Sequence, residues 1–182
     1  MDTRKVLVPI ADGIEELEAV TIIDVLRRAG ADVTAASVNL RTVVAGRGLS
    51  LNADKLISEC ADDVFDMVVC PGGMPGAENL RDSGALTEIL NNQSDSGRYY
   101  AAVCASPAVI FAHHGLLKGK TATCYPSMSK LIENYISERV VIDGNCITSQ
   151  GPGTAMEFSL KLVELLFGED KAKEIAQGLL VD

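Results

Sequence analysis

The 182-residue sequence has no long apolar run, no block of lysine or arginine and no CxxC pair. Each absence excludes something. Without an apolar run near 20 residues, no segment reads as a membrane-spanning helix. The start, MDTRKVLVPIAD, is a charge pair followed by a strand-like run. It lacks the long apolar segment and small-residue cleavage site of a secretory signal. The formal net charge is −9. That charge is repelled by nucleic-acid phosphates and by an anionic membrane surface, so neither is expected as a partner. The acidity reads as a solvated surface. The five cysteines, at 60, 70, 104, 124 and 146, are odd in number. The only two histidines, His113 and His114, are adjacent. No metal site is expected from these spacings. Free thiols suit a reducing compartment, the cytoplasm or an equivalent.

What is there is ample for one domain spanning 1–182: 47% of the residues are hydrophobic, at an ordinary domain length. No repeat, low-complexity tract or linker divides it. Strand and helix patterns alternate. KVLVPIA (5–11) is a continuous apolar run, as in strands covered on both faces. ADVTAASV (31–38), DMVVCPGG (66–73), RYYAAVC (98–104) and KTATCYP (120–126) also read as strands. RTVVAGRGLSLNAD (41–54) predicts short strands around a glycine turn, and RVVIDGNCITSQ (139–150) a hairpin at Asp143-Gly144. Helical patterns cover 13–30, 76–93, 105–115, 127–136, 153–168 and 169–180. The alternation predicts an α/β helix–sheet–helix sandwich with a mostly parallel central sheet. Ligands in such sheets bind beyond the carboxyl ends of the strands. Four loops lie there: Ala11–Glu18, Pro71–Gly76, Cys104–Pro107 and Ser149–Thr154.

Cys104 stands where a strand stops and a helix pattern begins. Position alone favours a small core residue. The helix N-terminus that follows argues for more, because its free N–H groups lower a thiol pKa. A strand–nucleophile–helix turn also exposes its side chain at the top of the sheet. Glu18 shares a helical stripe with Ile14, Thr21, Ile22 and Val25. A carboxyl on an apolar stripe is expected to be at least partly buried, with a raised pKa. That suits an acid/base catalyst or a hydrogen-bond donor to a thiolate. Glu15 and Glu16 read as first-turn acids, with Glu15 near enough to the loop to remain a candidate. Val20 and Ile23 make the same helix apolar on a further side, which predicts burial against a partner subunit.

PGGMPG (71–76) matches neither a Walker A loop nor GxGxxG. Its glycines let the backbone approach a ligand. The reading is an oxyanion site made by the N–H groups of Gly73 and Ala105 around Cys104, with Gly72 a further candidate. SQGPGT (149–154) reads as a turn with Thr154 capping the last long helix; Pro152 belongs to this wall of the crevice. His113 and His114 follow Cys104 by more than two helical turns, too far for a direct bond. A protease-type Cys–His dyad is not evident.

In order and spacing, ADGIEELEAV, VVCPGGMPGAENL, AAVCASPA and TSQGPGTAMEF resemble the ThiJ/PfpI superfamily, in the branch of the Parkinsonism-associated deglycase. The resemblance runs from Lys5 to the last helix. It implies a flavodoxin-like sandwich with a nucleophile-elbow cysteine, matched by Cys104, and a homodimer through the first helix. It implies a protonated glutamate at Glu18, an oxyanion glycine at Gly73 with Ala105, and an arginine reaching the site, often from the other subunit, at Arg47. The implied activities are glutathione-independent conversion of methylglyoxal to lactate and removal of early glycation adducts. Other members are redox-regulated chaperones, and distant ones peptidases. The activity uses no cofactor, and its substrates are small α-oxoaldehydes or glycated molecules. One departure stands out. Many relatives carry a histidine before the proline that here is Pro126, and this chain has Tyr125. Tyr125 can still donate a hydrogen bond to a bound substrate, but a phenol with a pKa near 10 is a poor base at neutral pH. Acid/base work then falls on Glu18 alone, and slow turnover is expected. The peptidases place a histidine directly after the cysteine; Ala105 stands there instead. The alternative is a redox-sensing chaperone whose cysteine oxidises to the sulfinic acid.

Overall fold

The computed structural model describes residues 3–181. The strands are β1 (Lys5–Ile10), β2 (Asp32–Ser37), β3 (Thr42–Val44), β4 (Ser50–Asn52), β5 (Lys55–Leu56), β6 (Met67–Cys70), β7 (Tyr99–Val103), β8 (Thr121–Ala122), β9 (Asn134–Tyr135), β10 (Val140–Asp143) and β11 (Cys146–Ser149). The helices are α1 (Glu16–Arg28), α2 (Gly76–Arg81), α3 (Gly84–Asp95), α4 (Ala155–Phe167) and α5 (Glu169–Gly178). Seven strands form one sheet in the order β10-β11-β7-β6-β1-β2-β5. All neighbours are parallel except the β10–β11 hairpin, which turns at Asp143-Gly144 as the sequence predicts. The apolar strands β1 and β6 are buried because helices cover both faces. Helix α1 packs with α4 and α4 with α5, while α2 and α3 pack together elsewhere. This is the three-layer, flavodoxin-like α/β sandwich. No helix among the described residues is long and apolar enough to cross a membrane.

Register brings the carboxyl ends of three adjacent strands level. Val6 of β1 pairs with Met67 of β6, and Cys70 of β6 with Ala102 of β7. The chain leaves β1 toward β2 on one side and reaches β6 on the other, so the order reverses between β1 and β6. A doubly wound sheet binds its ligand at such a switch point.

Three helical expectations are corrected. The 76–93 helix is two helices, because Ser83 ends one and caps the next, its hydroxyl accepting from Leu86 N–H at 3.4 Å. The 105–115 helix is a π-helical turn at Pro107–Phe111, followed by turns in which Gly115 and Gly119 take φ of +73° and +71°. The 127–136 helix is a 3-10 turn, Pro126–Leu131, followed by β9. Pairing explains the last: β9 runs beside β8, and Ile136 N–H donates to Ala122 O at 3.0 Å.

Candidate active site

Cys104 follows β7 with φ of +62°, one of two non-glycine residues with positive φ among those described. The left-handed region is unfavourable for an L side chain by about 1–2 kcal/mol. Two backbone bonds hold it: Cys104 N–H donates to Ser149 O at 3.0 Å, and Tyr125 N–H donates to Cys104 O at 2.7 Å. A third tie, which the sequence did not reveal, is Ser106. It is fully buried, and its hydroxyl donates to Pro71 O at 2.5 Å, locking the cysteine turn to the loop after β6. The result is the strained elbow that lifts a side chain above the sheet.

Glu18 comes from the first turn of α1 and is fully buried. Gly72 N–H donates to its Oε2 at 2.8 Å. Its Oε1 has no partner by strict hydrogen-bond geometry, yet the carboxyl lies within hydrogen-bonding reach of the Cys104 thiol. Burial raises the carboxyl to about 7, against the pull of the Gly72 N–H and of Cys104. The N–H groups of Gly73 and Ala105 both point at the Cys104 sulfur.

The thiol itself is a correction. The sequence predicts a pKa lowered by a helix N-terminus, but the following turn is short and its dipole small. Burial, then the Glu18 charge, push the thiol up to about 12, and the two N–H groups only moderate this. The cysteine and glutamate therefore titrate as a pair. Two N–H donors aimed at a neutral thiol meet a weak acceptor. Aimed at a thiolate they make charge-assisted bonds. A protonated Glu18 carboxyl offers the sulfur a third donor.

The raised carboxyl has a consequence for stability. An unfolded glutamate titrates near 4.5 and this one at about 7. The native state binds the proton more tightly, so Glu18 favours folding fully below pH 4.5 and loses that contribution between 4.5 and 7. The loss is about 3 kcal/mol, at about 1.4 kcal/mol per pH unit. The unfolding free energy from denaturant titration is expected to fall over this window in the wild type and to fall less, by about that amount, in Glu18→Gln. Equal slopes in the two proteins refute the coupling.

The other predicted residues lie around this centre. Gly72 cannot carry a side chain: a Cβ there stands 2.6 Å from the Cys104 Cβ and 2.9 Å from Glu18 Oε2. Gly73 has φ of +90°, and its Cβ would stand 2.3 Å from Glu15 N. Glu15 donates its N–H to Gly72 O at 2.9 Å. Arg47 sits at the tip of the β3–β4 hairpin, 78% exposed at its side chain, 3.9 Å from Glu15 Oε2. Within one chain it meets Glu15, not Cys104. Tyr125 is exposed and backs onto Gly151, where a Cβ would meet the ring at 3.4 Å. Pro152 opens the turn after Gly151. Thr154 does not cap α4 through its side chain. Its hydroxyl donates to Gly151 O at 2.9 Å and lies 2.7 Å from Ser149 Oγ. His114 bonds Arg81 O at 2.9 Å, a structural contact away from the thiol.

The DJ-1/PfpI family model matches residues 4–165. The chain belongs to the DJ-1/PfpI family. Protein DJ-1 homolog B of Arabidopsis thaliana is 50% identical over 98% of this chain, which spans 42% of that protein. The chain thus covers less than half the length of this relative. Oxidized DJ-1 of Toxoplasma gondii superposes with a TM-score of 0.97 at 47% identity, covering 98% of this chain and 99% of that one. A Caenorhabditis elegans relative, named glutathione-independent glyoxalase DJR-1.2, is 35% identical over 96% of this chain and 94% of its own. The DJ-1/PfpI family thus includes a protein named as a glyoxalase.

Proposed function

We propose that this chain converts α-oxoaldehydes to 2-hydroxy acids without glutathione, methylglyoxal giving lactate. The observation that carries the reading is the buried Glu18 carboxyl, with one orphaned oxygen, beside a cysteine held at positive φ. The name of the C. elegans relative supports it. The Cys104 thiolate attacks the aldehyde carbon, and its C=O electron pair becomes an alkoxide. The N–H groups of Gly73 and Ala105 stabilise that oxygen, and the Glu18 proton neutralises it to a hemithioacetal. The Glu18 carboxylate then removes the proton on the former aldehyde carbon, forming an enediolate. Return of the proton to the neighbouring carbon gives a lactoyl thioester. Water cleaves the thioester to lactate and restores the thiol. Attack on early glycation adducts uses the same nucleophile. The test is lactate formation from methylglyoxal with no added thiol; none above background overturns the reading.

The reading includes a homodimer through α1. Leu17 is 51% and Val20 44% exposed on this helix, near the hairpin that carries Arg47. It also includes a reducing compartment, in keeping with five free cysteines.

A second reading, a redox sensor, has its own support. Cys104 is half-buried, while the other four cysteines are buried. Cys104 also has Glu18 as a proton donor to an oxidised product. Mild peroxide is expected to add two oxygens at Cys104 before any other cysteine changes, as read by peptide mass. Earlier oxidation elsewhere refutes this.

A further inference from the structure

We propose that Met74, Ala108, Val109, Ala112, Met128 and Leu131 form a subsite for the apolar substituent of the carbonyl compound that Cys104 attacks. This rests on the proposed function and extends it to substrate class: aryl or branched-alkyl α-oxoaldehydes rather than methylglyoxal.

These residues line one open groove of about 490 Å³. Its three walls grow out of the three segments that hold the thiol. Met74 directly follows Gly73, whose N–H meets the sulfur. Ala108 and Val109 form the turn after the elbow, their N–H groups donating to Ala105 O at 3.1 and 2.8 Å. Met128 N–H donates to Tyr125 O at 2.9 Å, and Tyr125 N–H in turn to Cys104 O at 2.7 Å. Cys104 itself does not line the groove; Met74, Ala108 and Met128 stand one to four residues along the chain from Gly73, Cys104 and Tyr125, the residues that hold the thiol. Met74 is 45% and Leu131 61% exposed, apolar area that gains from being covered. Glu78, Arg81 and His113 complete the lining with polar groups. A mostly apolar lining with a few polar groups is the usual composition of a small-molecule pocket. The two methionines adapt to groups of different shape. A methyl group is too small to use such a surface; a phenyl ring is not.

Two measurements separate this subsite from the glyoxalase reading. The first is the kcat/KM ratio of phenylglyoxal to methylglyoxal in wild type, Met74→Gln and Leu131→Gln. Both positions are exposed enough to accept glutamine. The second needs no turnover. It compares modification of Cys104 by benzyl and methyl methanethiosulfonate, each rate divided by that of N-acetylcysteine and the site confirmed by peptide mass. The benzyl reagent is expected to be favoured about tenfold, the range of one added apolar group in a pocket, and each variant to lose most of that preference. The phenylglyoxal ratio is expected to fall in parallel. Lactate from methylglyoxal with no benzyl preference, or a preference unchanged in both variants, overturns the subsite and leaves the activity standing. A benzyl preference lost in both variants without any turnover supports the subsite and overturns the activity.

Discussion

Cys104→Ala is expected to lower lactate formation from methylglyoxal by about 10³-fold or more, the scale seen when a covalent nucleophile is removed. The folded state is expected to survive. Both bonds that pin residue 104 use its backbone, Cys104 N–H to Ser149 O at 3.0 Å and Tyr125 N–H to Cys104 O at 2.7 Å. Alanine meets the same cost as cysteine at φ of +62°, since the clash involves the Cβ that both carry. The variant also removes the sulfur that shares a proton with Glu18. A near-native unfolding midpoint with no lactate assigns the loss to chemistry. Lactate undiminished in Cys104→Ala rules out the thiol mechanism.

The second large effect is structural. Gly72→Ala is expected to destabilise the protein by about 1–3 kcal/mol, as overpacking of a tight core does, and to abolish turnover. The added Cβ stands 2.6 Å from the Cys104 Cβ, 2.9 Å from Glu18 Oε2 and 2.9 Å from Val103 O. Three groups of the site must separate to admit it, and the two that move most easily are the reacting pair. Gly84→Ala is the control. No atom lies within 4 Å of its Cβ, and it opens α3, where alanine is favoured over glycine by up to about 1 kcal/mol. Chemical denaturation of both variants decides. Gly72→Ala as stable as wild type contradicts the packing described.

The sandwich was legible because its strands are short apolar runs separated by amphipathic stretches, and because glycines gather at the carboxyl ends of the strands. Glu18 was legible for the same reason: a carboxyl on the stripe of Ile22 and Val25 has nowhere to go but inward. The break in the second helical region was also readable, since Asp82-Ser83-Gly84 carries a capping residue. The turn at Pro126–Leu131 was not, because Met128, Leu131 and Ile132 imitate helical spacing while sheet pairing at Ile136 decides the outcome. Ser106 gave no signal, since its role depends on Pro71, 35 positions away. The thiol pKa was misread because burial and a neighbouring charge belong to the folded site, whereas the sequence offers only the helix that follows.

The central claim is that a protonated Glu18 carboxyl hydrogen-bonds to the Cys104 thiolate, so that Glu18 governs when the thiol ionises. The direct measurement is the pH dependence of Cys104 alkylation by iodoacetamide in wild type and Glu18→Gln. The pH at which the wild-type rate rises is expected to differ from that of Glu18→Gln, because the variant has no carboxyl to exchange a proton with the thiol. The same pH profile in wild type and Glu18→Gln contradicts the claim.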